Sequence, residues 1–175
     1  MKNKKTTVYD CSIIELNKHH ADEGNLTVVE NNKTVPFEIK RLYHLYDIPG
    51  GESRGGHAHR KLQQLITAAS GSFSVVLDDG EVKRTVTLNH PYEGLLVVPG
   101  IWRDLVDFSS GSVLLCLASE KYDETDYIRN YDDFKAYKAS FEWIMSWEFK
   151  YGSVRKDTTL ITVGIEDTHG SDDKL

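Results

Sequence analysis

Apolar and polar positions alternate over short stretches along most of the chain, and Gly, Pro, Asn and Asp punctuate them. Thr7 to Leu16 has the β-branched and aromatic content of an edge strand, and the HHADEGN next to it carries turn chemistry around Gly24-Asn25. Leu26 to Val29 reads as a short strand closed by Asn31-Asn32. In Phe37 to Ile48 both parities are in use: Phe37, Ile39, Arg41 and Tyr43 share one face, and Leu42, His44, Tyr46 and Ile48 share the other. That pattern suits an inner strand of a sandwich or barrel. Pro49-Gly50-Gly51 ends it, Ser70-Gly71 turns the chain into SFSVVLDDG, and Asp79-Gly80 is a hairpin signal. Val82 to Leu88, Gly94 to Val98 and Val113 to Ala118 continue the series. Many short strands with almost no helical period before residue 120 predict an all-β, antiparallel sandwich or barrel.

The period changes after Asp123. Tyr127, Ile128, Tyr131, Phe134 and Tyr137 or Lys138 are spaced i, i+3, i+4, which predicts one or two short helices packed on the outside of the barrel. Residues 1–138 therefore read as one domain and 139–175 as a C-terminal extension. The aromatics Phe141, Trp143, Ile144, Trp147, Phe149 and Tyr151 suit packing or a subunit contact, Thr158 to Ile165 could add a strand, and GSDDKL is a polar end.

A chain of 175 residues can bury a single core without staples. Its net charge of −6 argues against non-specific nucleic-acid binding, which needs a basic face. No apolar run is long enough to span a bilayer, and the basic start lacks an apolar signal region, so a soluble, cytoplasmic protein is expected. Cys11 and Cys116 imply no disulfide framework, and Cys116 lies in an apolar run as a buried thiol would.

Candidate chemistry centres on Arg54 to Gln64, RGGHAHRKLQQ. His57 and His59 sit two apart, so on a strand both rings enter one cavity. A facing imidazole pair is either a proton-transfer device or half of a metal site. Gly51, His57, His59, Gln64 and Gly71 reproduce the spacing of the first cupin motif, in which glutamate stands at the Gln64 position. Gly94, Pro99 and Gly100 resemble the second motif, but Trp102 and Arg103 occupy the place of its histidine. Two neutral imidazoles and an amide, with Arg103 close by, are a poor set for a divalent ion. No metal and no cofactor are therefore expected, and proton transfer beside a carbonyl remains. Such a step needs an electrophile on the developing enolate, and Arg54 is a candidate for that role or for holding a phosphate.

RGGHAHRKLQQLI, the GSFSVVLDDG hairpin, GLLVVPGIWRDLVDFSSGSVLLCLASE and YDETDYIRNYDDF together resemble the nucleotide-sugar 3,4-ketoisomerases, the WxcM-like cupins. The likeness covers Val8 to Tyr137. It implies a cupin-type barrel or jelly roll and a metal-independent isomerase acting on dTDP-4-keto-6-deoxyglucose. The product would be a 3-keto sugar for deoxyamino sugars of surface polysaccharide. It further implies a homodimer that exchanges an N-terminal strand, a part Thr7 to Leu16 could take. His57 and His59 would be the acid/base pair, with His59 given the main role. Tyr43 and Tyr46 lie on opposite parities, so one of them reaches the cavity, as a proton shuttle or a sugar contact. Arg54 would hold the diphosphate, Trp102 and Arg103 would line the pocket mouth, and Gln64, Arg41 and Lys61 complete the candidate substrate contacts. A dTDP-sugar 3,5-epimerase and a non-catalytic nucleotide-sugar-binding cupin are the alternatives.

Overall fold

The computed structural model describes residues 5–151, with side chains described for residues 5–141. Its frame is two five-stranded sheets packed face to face. The first carries β1 (Ser12–Glu15), β9 (Glu93–Val97), β6 (Gln64–Ser70), β11 (Val113–Ala118) and β4 (Arg41–Leu45), in that spatial order. The second carries β12 (Tyr127–Ile128), β5 (Arg54–His59), β10 (Trp102–Val106), β7 (Phe73–Asp78) and β8 (Lys83–Leu88). A separate hairpin pairs β2 (Asn17–Ala21) with β3 (Gly24–Val28), and α1 (Tyr131–Tyr151) comes after the last strand. Every pairing among these twelve strands is antiparallel. This is the all-β antiparallel sandwich that the alternating pattern predicts, in the jelly-roll form that the family resemblance implies.

Between the sheets the core is apolar at one end: Phe73, Val75 and Leu77 of β7, Ile66 and Ala68 of β6, Leu114 and Cys116 of β11, and Leu95, Val97 and Leu105 meet there. Burying a large side chain of this kind contributes about 1.5–3 kcal/mol, so this end holds the sandwich shut. At the other end the same inward parity carries Tyr43, His57, His59, Gln64 and Arg103, which keeps that end open and polar. The outward parity is used as well. Leu65 and Leu117 pack under Leu16, Val35 and Phe37 on one face, and Ala58 and Trp102 pack with Ile128 and Phe134 on the other. Gly71, the last glycine of the cupin spacing, turns at φ +67, and a Cβ there would lie 2.5 Å from Ser109 Oγ.

Three strands depart from the expected layout. HHADEGN is strand as well as turn: His19 pairs with Leu26, and the reversal falls at residues 22–23, ahead of Gly24-Asn25. The hairpin is exposed along nearly all its length, so no burial pattern marks it. β10 is not marked in the sequence either, because Trp102-Arg103-Asp104 lacks strand composition, yet it is central in its sheet. The expected helix from Asp123 begins only at Tyr131. Asp123 Oδ1 accepts from Thr125 N at 2.9 Å and from Thr125 Oγ1 at 2.7 Å, closing a 3-10 turn, and Tyr127 and Ile128 then pair with His59 and Ala58. Asn130 Oδ1 accepts from the Asp132 and Asp133 amides and so starts α1. Among the described residues α1 is the one α-helix, and at 21 residues it is longer than the one or two short helices expected.

At the N-terminus, a 3-10 turn at Val8–Asp10 precedes β1, which lies on β9 of its own sheet. The buried Lys138 of α1 donates to the carbonyls of Thr6 and Gly100, fixing the helix to the N-terminal segment and to the turn before β10. No described helix is long and apolar enough to cross a membrane. The side chains of Trp143 to Tyr151, the possible strand Thr158 to Ile165 and the polar end lie outside the described residues.

Candidate active site

The open end of the sandwich is a cavity of about 450 Å³, lined among others by Arg41, Tyr43, Arg54, His57, Arg103, Tyr127 and Arg129. That volume is in the range of small-ligand sites. Gly55 turns at φ +90 beside the cavity, where a Cβ would press on Leu105 Cγ at 3.2 Å. Two residues on, the regular pleat of β5 aims His57 and His59 inward, with ring centroids 4.9 Å apart and planes at 85°. Arg103 is paired with His57 across β10 and β5. Its guanidinium donates to His57 Nε2 at 2.8 Å, to the His57 carbonyl at 3.2 Å and to His59 Nε2 at 3.4 Å.

Behind His59, Asp126 Oδ2 accepts from the ring Nδ1 at 3.0 Å. The carboxylate is itself fixed, because Asp126 also accepts from the amides of Lys61 at 2.7 Å and Leu62 at 3.3 Å. The 3-10 turn at Glu124–Asp126 delivers it there, and β12 then lays the Tyr127 ring over the pair, 4.3 Å from His59 and 4.9 Å from His57. Burial and then the Arg103 charge push His57 down to about 3. His59 is driven down in the same way to about 2. Both rings are therefore neutral at neutral pH, the form a proton acceptor requires.

From the opposite sheet Tyr43 enters on β4, and its hydroxyl accepts from Gln64 Nε2 at 2.7 Å. Burial, with the adjacent Cys116, holds the Tyr43 phenol above its usual value, so it keeps its proton. Gln64 Oε1 is buried without a partner. Arg41, Arg54 and Arg129 form a cationic rim. Arg41 donates to the Tyr127 hydroxyl at 3.5 Å, and Arg129 lies over the Tyr127 ring at 4.3 Å while Glu124 holds it through paired bonds of 2.6 and 2.9 Å. Among the described residues no three His, Cys, Asp or Glu side chains gather into a metal-holding group. The donor set at and behind the cavity wall is two imidazoles and an amide, with a guanidinium bonded to both rings, which does not fit a divalent cation.

Of the residues singled out from the sequence, the structure brings His57, His59, Tyr43, Gln64, Arg103, Arg41 and Arg54 together. Three lie elsewhere. Tyr46 is 65% exposed on the outward parity just beyond β4, so Tyr43 is the tyrosine that reaches the cavity. Trp102 faces away from the pocket mouth because neighbours on a strand point to opposite sides. It packs on Tyr131 and Phe134 under α1, with Nε1 donating to Asp104 at 3.2 Å. Lys61 is exposed, and it serves the site through its backbone amide on Asp126. Arg103 stands at the centre of the site and not at its mouth. Within the histidine pair, His57 lines the cavity, whereas His59 is 4% exposed and lies behind it. Asp126, Tyr127 and Arg129 are site residues that the sequence reading does not single out. They fall in DETDYIRN, where an apparent helical period masks the aspartate-turn chemistry.

A two-sheet antiparallel jelly roll with paired imidazoles and a guanidinium in its open end defines a cupin whose ligand-facing chemistry is acid/base. The chain belongs to the family described as FdtA: WxcM-like, C-terminal, which matches residues 9–139. It is 48% identical over 127 residues to the TDP-4-oxo-6-deoxy-alpha-D-glucose-3,4-oxoisomerase of Aneurinibacillus thermoaerophilus, covering 73% of this chain and 91% of that protein. The crystal structure of a 3,4-ketoisomerase from Helicobacter canadensis is similar with a TM-score of 0.73 at 40% identity, over 74% of this chain and 98% of that one. A histidine-to-asparagine mutant of the 3,4-ketoisomerase QdtA from Thermoanaerobacterium thermosaccharolyticum, in complex with TDP-4-keto-6-deoxyglucose, gives a TM-score of 0.75 at 37% identity, over 77% of this chain and 97% of that one.

Proposed function

We propose that this chain is a metal-independent 3,4-ketoisomerase that converts dTDP-4-keto-6-deoxyglucose to a dTDP-3-keto-6-deoxyhexose through an enediol. The observation that carries the reading is a cavity wall with a neutral imidazole, His57, beside a buried guanidinium, Arg103, in a chain 48% identical to an oxoisomerase for that sugar class. His57 takes the proton from carbon 3, and the C–H electrons form the C3–C4 double bond while the carbonyl electrons move onto the oxygen at carbon 4. Arg103 and the protonated Tyr43 hydroxyl stabilise that oxygen. The hydroxyl at carbon 3 then passes its proton to the oxygen at carbon 4 as the carbon 3 carbonyl forms, and the His57 imidazolium, whose proton exchanges with solvent, returns a proton to carbon 4. Bonds and electrons balance with no external oxidant. Asp126 and His59 stand behind His57 as a positioning pair. Arg41, Arg54 and Arg129 suit the diphosphate, since guanidinium groups match phosphate oxygens in paired bonds.

The working form we propose is a cytoplasmic homodimer. The exposed β2–β3 hairpin supports it, because a two-stranded hairpin is marginal by itself and gains from a partner. Exchange of the N-terminal strand would put one protomer's β1 in the place on β9 that β1 of the same chain occupies here. Light scattering on the purified protein measures the assembly.

The function is tested by a proton NMR time course in deuterated water, with chelator present and dTDP-4-keto-6-deoxyglucose supplied. A 3-keto product carrying deuterium at carbon 4 is expected. Exchange at carbons 3 and 5 with the ketone unmoved would instead mark an epimerase, and saturable binding without exchange would mark a binding protein.

A further inference from the structure

We infer that Arg103 locks both imidazoles in the unliganded protein and that the ketone oxygen of the substrate opens the lock. The inference rests on the ketoisomerase reading above. It starts from valence. A neutral imidazole has one N–H and one in-plane lone pair, and a guanidinium has donors only. The contacts of Arg103 Nη2 with His57 Nε2 at 2.8 Å and His59 Nε2 at 3.4 Å therefore make both Nε2 atoms acceptors and place both ring protons on Nδ1. The His59 proton is then the one that Asp126 accepts at 3.0 Å. In this arrangement neither ring has a lone pair left to take a proton from carbon.

Arg103 is only 3% exposed, yet no carboxylate among the described residues pairs with it, and its Nε is buried without a partner. An unpaired buried cation is costly to keep. Its acceptors are all neutral: the His57 carbonyl and the two ring nitrogens. An oxygen gathering negative charge is a stronger acceptor than any of these, because charge-assisted bonds are roughly twice as strong as neutral ones.

The ketone at carbon 4 supplies such an oxygen. As it takes the Nη2 donor, the His57 lone pair is freed beside carbon 3, and the proton moves to Nε2 while the C–H electron pair becomes the new double bond. Base and electrophile thus become available in one event. A sugar nucleotide with a hydroxyl at carbon 4 offers a weaker acceptor and leaves the base covered, so the lock selects for the ketone independently of the nucleotide.

The test is nitrogen-15 NMR of the full chain with labelled histidine. In the free protein His57 and His59 should both be protonated on Nδ1 and unprotonated at a hydrogen-bonded Nε2. Saturating TDP should leave the His57 Nε2 signal in place, whereas dTDP-4-keto-6-deoxyglucose should shift it. A free protein with His57 protonated at Nε2, or a shift already complete with TDP, would overturn the lock. As an independent measurement, Arg103→Met should raise the rate of diethyl pyrocarbonate modification at His57, read by peptide mass, roughly 10- to 100-fold, the equivalent of a hydrogen bond to a charged group. The rate at the exposed His44 should stay constant. An unchanged His57 rate in folded variant protein counts against the lock. Product formation is followed separately: turnover without the ketone-specific shift rejects the lock alone, and the shift without turnover rejects the isomerase reading alone.

Discussion

Replacing Asp126 by Asn removes one charge and almost no volume, so its effects trace to the three hydrogen bonds the carboxylate accepts. Asp126 Oδ1 accepts from the Lys61 amide, while Oδ2 accepts from the Leu62 amide and from His59 Nδ1–H. The oxygen of Asn can keep the Lys61 bond, and its NH₂ group then faces two donors. Relief at His59 requires the ring proton to move to Nε2, where it meets the donors of Arg103 at 3.4 Å. One buried donor is left unsatisfied under either tautomer, a loss of about 1–3 kcal/mol, or ~2–4 °C in Tm per kcal/mol for a chain of this length. Catalysis should suffer more, because His59 can no longer back His57 in its working orientation. We expect kcat to fall by ~100-fold, the lower end of what a positioned acid/base group supplies. KM should change little, since Asp126 does not line the cavity. The assay is product formation by NMR over a range of substrate, with calorimetry on the same samples. A variant with an unchanged Tm and a kcat within threefold of the parent protein would refute the positioning role of Asp126. A raised KM with an intact kcat would refute it as well.

The same geometry sets two further outcomes. Tyr43→Phe removes the hydroxyl that Gln64 holds at 2.7 Å and should lower kcat by ~10–100-fold while the protein stays folded, which circular dichroism checks. Acid should destabilise the protein. The unfolded chain takes up protons on His57 and His59 below about pH 6.5, whereas the folded chain resists until about 3 for His57. Stability is therefore full above pH 6.5 and declines as pH falls through that window, at ~1.4 kcal/mol per pH unit for each ring at most. Urea titrations between pH 4 and 7 measure the slope, and the double variant His57→Asn, His59→Asn should flatten it.

The sequence by itself determined the class of fold and half of the site. Alternation of period two decides which side chains share a face. It correctly sent His57 with His59 inward, separated Tyr43 from Tyr46, and announced the β7–β8 hairpin through Asp79-Gly80. Those are local properties of one strand or one turn. The cupin spacing was legible too, and so was its departure at Gln64 and Arg103. Tertiary structure decided what the strands bring to one another. Asp126 is 67 residues from His59 and joins it only because β12 pairs with the edge of β5. The Tyr127, Ile128, Tyr131 spacing imitates a helix, and only pairing with His59 and Ala58 turns its first two members into strand. Trp102 and Arg103 looked like neighbours at one pocket mouth, but on β10 one faces α1 and the other the cavity. Which histidine lines the cavity was likewise undecidable from a motif, since both share a parity and only the Tyr127 ring and the Asp126 turn set their depth. Local pattern assigns a side chain to a face, whereas depth, partner and charge environment belong to contacts between segments far apart in the chain.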